Sequence, residues 1–335
     1  MASVTIVSNP MPKKIFIGVD VGGTKIAGGL VTVSGKVIAR EKQSTPPQAK
    51  PKKIYNVLAD IIDDLLQKNK TKLDNIYGIG VGIPGLVDPN NRILITPNIN
   101  LSHYPLALKL KKKFKVKVFL GNDVNLGLLA EYWLGVAKNF HYIVGLFPGT
   151  GIGGGVILHG ELFTGPHGAA AELGHMIMDR EGPPCSCGNR GCLEALASRW
   201  AIERDIRQAI KNGQKSIITK LTNGHLNVIK SKVLKQALKH KDPLVTRIMQ
   251  NAASVLGEAC LSLRHIFNPE LIVLGGGVME ACGNFILPIV RKTMEGDPFF
   301  AKFDNCRVVQ SLLKDDAVIL GAVALVKNNL RSQRN

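Results

Sequence analysis

Two glycine-tipped turns set the strongest limit on how this chain can fold. DVGGTK at 20–25 interrupts IFIGVDVGGTKIAGGLVTV, and GTGIGG at 149–154 interrupts YIVGLFPGTGIGGGVILHG. Apolar and β-branched residues flank both, the pattern of strand, tight turn, strand. A chain that uses the device twice reads as two related α/β halves facing a cleft. At 335 residues and 45% hydrophobic, it has enough apolar material for two cores.

The rest of the pattern fits that division. Ile54, Leu58, Ile61, Ile62 and Leu65 recur at helical spacing and predict a helix over about 53–69. NIYGIGVGIPGLVD reads as a strand ending in a Gly/Pro loop, VKVFLG as a short strand, and VNLGLLAEYWLG as the helix behind it. Helices are expected over 198–212 and 243–266, and LIVLGGGVME as a strand entering a third glycine turn. AVILGAVALVKNN closes the chain as a helix that crosses back to the first half. The expected organisation is a tail over 1–13, a smaller domain over 14–130 and a larger one over 131–335.

GTGIGG satisfies G-x-G-x-x-G literally, but that fingerprint needs a helix after the turn to hold a pyrophosphate, and here a strand-like segment follows. No G-x-x-x-x-G-K-[ST] is present. What remains is a pair of hairpin tips, Gly22, Gly23, Thr24 and Lys25 in one and Gly149, Thr150, Gly151 and Gly153 in the other. Their glycines let backbone N–H groups approach phosphate closely, and the threonines add hydroxyls. Asp20 could hold Mg²⁺ through water, and Gly275, Gly276 and Gly277 would border a nucleoside. Ordinary tight turns are the alternative.

Asn122 and Asp123, in FLGNDVNLG, stand where strand gives way to helix. Either could cap the helix; Asp123 could instead accept the proton of a sugar hydroxyl during phosphoryl transfer. Further on, Cys185, Cys187 and Cys192 are spaced C-x-C-x4-C, and His175 in AELGHMIMD is the nearest fourth ligand for tetrahedral zinc. Such a closed site is structural. Glu172 and Glu194 flank it and could meet a ligand rich in hydroxyls, or be surface charges. Cys260, Cys282 and Cys306 are isolated in apolar surroundings, as core residues are.

The formal net charge of +18 raises nucleic acid as a partner. Its densest stretches, LKLKKKFKVKV at 108–118 and the lysines through 211–241, lack the aromatic interleaving of a single-strand binder. They are expected to be solvated surface, with no nucleic-acid partner. No apolar run is long enough for a membrane span, and MASVTIVSNPMP lacks the features of a signal peptide. A cytoplasmic protein with no membrane partner is expected.

Taken together, DVGGTK, GIPGLVD at 82–88, GND at 121–123, GTGIGGG, ELGH at 172–175 and CSCGNRGCLE at 185–194 follow the order and spacing of the ROK sugar kinases, which the chain resembles from about Lys14 to Lys327. The resemblance implies an actin-like, ribonuclease H-like ATPase fold in which ATP with Mg²⁺ meets a hexose in a cleft between the domains. By family role Asp123 is the catalytic base for the sugar 6-hydroxyl. Gly85, Asn98, Asn122, Glu172, His175 and Glu194 bind the sugar, His175 also ligating Zn²⁺. The hairpin tips take phosphates and Gly275–Gly277 the adenosine. Asn98 matches the family's sugar loop less cleanly, and Asn100 is an alternative.

CSCGNRGCLE resembles the glucokinase or N-acetylmannosamine kinase form. Repressors of the family carry a helix-turn-helix ahead of the first hairpin; the few residues before Lys14 leave no room for one, so the regulator branch is expected not to apply. The expected reaction is phosphorylation of glucose at its 6-hydroxyl. Another hexose, a polyphosphate donor and a non-catalytic regulator stay open. The resemblance also implies a homo-oligomer, dimer or tetramer.

Overall fold

The computed structural model describes residues 14–300 and 306–332. The expected tail over 1–13 lies outside them. In chain order the elements are β1 (Ile15–Val21), β2 (Lys25–Thr32), β3 (Val37–Ser44), α1 (Pro51–Lys68), β4 (Ile76–Ile83), β5 (Leu86–Val87), β6 (Ile93–Ile95), α2 (Leu106–Phe114), β7 (Val118–Asn122) and α3 (Asp123–Leu134). There follow β8 (Ile143–Pro148), β9 (Ile152–Leu158), β10 (Glu161–Leu162), α4 (Leu193–Ala197), α5 (Arg199–Lys211), α6 (Ile218–Leu221), α7 (Ser231–Lys239), α8 (Pro243–Phe267), β11 (Leu271–Leu274), α9 (Gly276–Glu295), β12 (Arg307–Gln310) and α10 (Ala317–Ser332).

The chain divides into two units. One holds the residues up to Leu126 together with those from Val318 onward; the other is Gly127–Ala317. The first contains a five-stranded sheet of order β3-β2-β1-β4-β7, the second a sheet of order β10-β9-β8-β11-β12. In both, a three-strand antiparallel meander leads into two parallel strands. The two glycine turns of the sequence join the first two strands of each meander, so the repeated device does mark repeated topology.

In the first unit α1 presents Ile54, Leu58, Ile61, Ile62 and Leu65, all buried, to a core shared with Ile17, Val19, Leu30, Ile79 and Val81. Burying each such side chain contributes on the order of 1.5–3 kcal/mol. α10 lies so close to this sheet that a Cβ on Gly18 or Gly80 would overlap the Ile319 or Ala322 carbonyl; only glycine permits that approach. The second unit's core gathers Val144, Leu146, Ile152, Leu256, Cys260, Ile272, Val278 and Cys282. Cys260 and Cys282 are thus core thiols, whereas Cys306 is half-buried.

Three segments have structure that the sequence reading did not assign, although the lysines of the two basic runs are solvated as expected. The basic run at 108–118 is largely α2, which buries Leu106, Leu110 and Phe114 on one side. The lysine-rich stretch at 211–241 contains α6 and α7. The third glycine turn is the amino end of α9, a 20-residue helix that continues through Pro288.

Glu131 on α3 has no solvent exposure. One carboxylate oxygen accepts from the backbone N–H groups of Leu312 (2.7 Å) and Leu313 (2.8 Å). The other accepts from that of Val136 at 2.9 Å. A single side chain thereby fixes both the end of α3 and the loop after β12. Among the described residues no helix is long and apolar enough to cross a membrane.

Candidate active site

In the first unit the turn between β1 and β2 is closed by Gly22 N–H donating to the Lys25 carbonyl at 2.9 Å. Thr45 braces it from outside: its hydroxyl donates to the Gly22 carbonyl at 2.6 Å and its N–H to the Thr24 carbonyl at 3.0 Å. Gly23, Thr24 and Lys25 are exposed. Asp20 sits one step inside the turn, in register with Ala27. Asn98 is exposed beside this tip, its carbonyl within 3.7 Å of where a Gly23 Cβ would stand.

Asn122 closes β7 and Asp123 opens α3. The capping question resolves in favour of Asn122, whose Oδ1 accepts from Asn125 N–H at 3.0 Å, the spacing of a capping bond. Its Nδ2 donates to the Gly85 carbonyl at 3.0 Å. The Asn122 amide is therefore committed to protein groups at both ends, and Gly85 enters by its carbonyl. Half-buried Asp123 accepts from the adjacent Val124 N–H at 3.0 Å.

In the second unit the tip between β8 and β9 is Gly149, Thr150 and Gly151; Gly153 lies in the ladder opposite Phe147. Gly149 N–H donates to the Gly151 carbonyl at 2.8 Å. The start of α5 holds the tip: Arg199 and Trp200 N–H donate to the carbonyls of Gly149 (3.0 Å) and Thr150 (3.2 Å). The Arg199 guanidinium donates to the Thr150 hydroxyl at 2.7 Å and pairs with Glu203. Nothing local in the sequence marks Arg199 for this role, because its partner is 49 residues away. Gly275 precedes α9 and its N–H donates to the Leu146 carbonyl at 2.9 Å. Gly276 adopts a positive φ of 80°, and Gly277 faces Ser231 at the start of α7.

Glu172 immediately precedes a 3-10 turn, Leu173–His175. Desolvation by its surroundings raises the Glu172 carboxyl above the usual range, His175 opposing the shift and Glu194 adding to it. Past this turn the chain forms a knuckle: Cys185 N–H donates to the Asn189 carbonyl at 2.8 Å and Gly188 N–H to the Cys185 carbonyl at 3.1 Å. A bridge between Ile177 and Cys192 closes it.

The ligand atoms of His175, Cys185, Cys187 and Cys192 all lie within 4.8 Å of one another. Cys187 Sγ and Cys192 Sγ are 3.7 Å apart, and Cys185 Sγ and His175 Nδ1 3.6 Å. A disulfide needs about 2.05 Å. A tetrahedron around Zn²⁺, with Zn–S about 2.3 Å and Zn–N about 2.05 Å, has S–S and S–N edges of about 3.8 and 3.6 Å. The donor set and its spacing thus fit a closed Cys3His zinc site. Burial pushes the Cys192 thiol up to about 12, whereas the Asn189 N–H holds Cys187 below the usual thiol range. A bound cation is what keeps such a set deprotonated together.

Glu194, in the first turn of α4, joins this knuckle to the glycine tip. Its Oε1 accepts from the Ser186 hydroxyl at 3.1 Å, and its Oε2 from Ile152 N–H at 3.0 Å. That oxygen occupies the space a Gly151 Cβ would need. The carboxylate read from sequence as facing a ligand is a strut as well.

The repeated sheet, its two glycine turns, the strand-end carboxylate and the zinc knuckle define the class of two-unit α/β sugar kinases. Glucokinase from Thermotoga maritima is 37% identical over 323 residues, covering 96% of this chain and 99% of that one. The crystal structure of a ROK family glucokinase from Streptomyces griseus in complex with glucose and AMPPNP superimposes with a TM-score of 0.80 at 28% identity, covering 94% and 99%. The chain belongs to the ROK family, whose model matches residues 16–329. By family and by likeness to these enzymes it is an ATP-dependent sugar kinase.

One expectation is overturned. A DNA-binding transcriptional dual regulator from Escherichia coli is 30% identical, covering 93% of this chain and 75% of its own length, and relatives named as repressors match over similar spans. Setting nucleic acid aside as a partner was wrong: the missing aromatic residues argue against base stacking only, and phosphate contacts need none.

Proposed function

We propose that glucose is the preferred hexose and that Asp123 is the general base for its 6-hydroxyl. The observation that carries the substrate assignment is the end-to-end likeness to the Thermotoga maritima glucokinase. The base assignment is supported by the place of Asp123, a half-buried carboxylate at the strand end that opens α3 directly after the capping Asn122. A hexose hydroxyl is too weak an acid to ionise at neutral pH, so proton acceptance must accompany phosphoryl transfer.

In this reading Asn98 and the Gly85 loop position the sugar in the first unit. In the second, Glu172 and Glu194 accept hydroxyl hydrogen bonds, and His175, with Nδ1 toward the metal, donates from its Nε2–H. The glycine tips and Gly275–Gly277 hold the nucleotide, with Asp20 toward Mg²⁺. Zinc supplies no chemistry at the transferring phosphoryl group; it fixes the knuckle and, through Glu194, the second tip. Six cysteines without a disulfide among the described residues suit a reducing, cytoplasmic setting.

The regulator relatives support a second reading, a sugar-responsive binding protein. Steady-state rates with ATP and with polyphosphate across glucose, N-acetylmannosamine, mannose and fructose separate the two. Highest kcat/KM for glucose with ATP is expected. A preference for N-acetylmannosamine would move the assignment to that sugar, and sugar binding without turnover of any hexose would favour the regulator.

A further inference from the structure

From Lys211 to Lys241 the chain carries eight lysines and two histidines and no aspartate or glutamate. The lysines are Lys211, Lys215, Lys220, Lys230, Lys232, Lys235, Lys239 and Lys241, and every one is exposed. None makes an ion pair among the described residues.

Lysines elsewhere have local explanations. On α2, Lys111, Lys112 and Lys113 stand in the last turn, where a helix favours cations. Lys113 also pairs with Asp63 at 2.8 Å, and Lys109 lies over the Tyr104 ring. On α7 Lys239 likewise stands in the last turn, but the amino end differs. Lys230 and Lys232 crowd its amino end, which has no acidic residue in the first turn and no side-chain cap. Cations there are unfavourable, and an anion would offset them.

Lys232, Lys235 and Lys239 share the face opposite buried Leu234 and Ala237. Their spacing of three and four residues sets them about 4.5 and 6 Å apart along the axis, of the order of one to two phosphate steps on a nucleic-acid strand. Asn212, Gln214, Asn223, Asn227 and Gln236 add exposed or part-exposed amide donors around them. No Phe, Tyr or Trp occurs between 211 and 241, so the surface has nothing on which an unpaired base could stack.

We infer that the α6–α7 surface binds the phosphate backbone of double-stranded nucleic acid without reading its sequence. The test compares the full-length protein with Lys232→Gln/Lys235→Gln/Lys239→Gln and with a control of equal charge loss on α2, Lys109→Gln/Lys111→Gln/Lys112→Gln. Binding to a labelled 30-base-pair DNA duplex is followed by anisotropy from 50 to 200 mM salt. Loss of three phosphate contacts should lower the slope of log K against log salt by about 2.7, and affinity at 0.1 M salt by on the order of 100-fold. Duplex binding by the control should change little, and both variants should give cooperative melting transitions that show them folded. The inference is overturned by an unchanged slope, by equal loss in the α2 control, or by tighter binding to a single strand or to vesicles of anionic phospholipid than to the duplex.

Discussion

Replacing Glu131 by glutamine keeps the shape of a fully buried side chain and changes only its capacity to accept. The carboxylate takes three backbone N–H donors, two on one oxygen and one on the other. A glutamine keeps its oxygen toward Leu312 and Leu313, as a neutral acceptor, and must turn its NH2 toward the Val136 N–H. Hydrogen bonds to charged groups contribute about 1.5–3 kcal/mol against about 0.5–1.5 for neutral ones, and an orphaned buried donor costs about 1–3. Two bonds weakened by about 1–1.5 kcal/mol each and one donor-to-donor contact come to about 3–6 kcal/mol. For a unit the size of Gly127–Ala317, at about 2–4 °C per kcal/mol, that lowers Tm by about 6–24 °C. Calorimetry reads the shift, and hydrogen exchange assigns it: the Val136 amide should lose more protection than those of Leu312 and Leu313. A Tm within about 2 °C of the parent, or equal loss at all three amides, would refute the account.

Three further outcomes are expected. Asp123→Asn should lower kcat by several orders of magnitude while hexose affinity is largely kept, because proton acceptance matters only in the transition state; a fast Asn variant would leave the carboxylate with a structural role alone. Metal analysis of the parent should give about one zinc per chain, and Cys187→Ser should lose the metal and weaken hexose binding measured by calorimetry. Zinc loss with sugar affinity intact would separate the knuckle from the sugar. Gly151→Ala should destabilise by about 1–3 kcal/mol and raise the KM for ATP, and Glu194→Ala should cost less on that background than on the parent, since the two side chains compete for one space; strictly additive effects in denaturant titrations would contradict that.

Much of the fold was legible because its signals are local. The glycine turns, the helix over 51–68 and the C-x-C-x4-C knuckle each show in a dozen consecutive residues. Other parts hid behind stronger cues. On α2 the lysines obscured Leu106, Leu110 and Phe114, a helical stripe, and at the start of α9 the triple glycine read as a turn. The least legible features are long-range. Glu131 gives no sign in sequence of two partners 181 and 182 residues on, and Glu194 none that it bonds to a backbone amide 42 residues away. Asn122 and Asp123 stand out in sequence as a pair, yet only the hydrogen bonds assign the cap to the first.

The contact between Glu194 and the second glycine tip also constrains inheritance. Position 151 cannot acquire a side chain while position 194 keeps its carboxylate, because both would fill one volume, and position 194 cannot lose it without leaving the Ile152 amide and the Ser186 hydroxyl to find other partners. Residues on opposite sides of the zinc knuckle therefore drift together or stay fixed. Any redesign of the metal loop in this chain is, at the same time, an edit to the turn between β8 and β9.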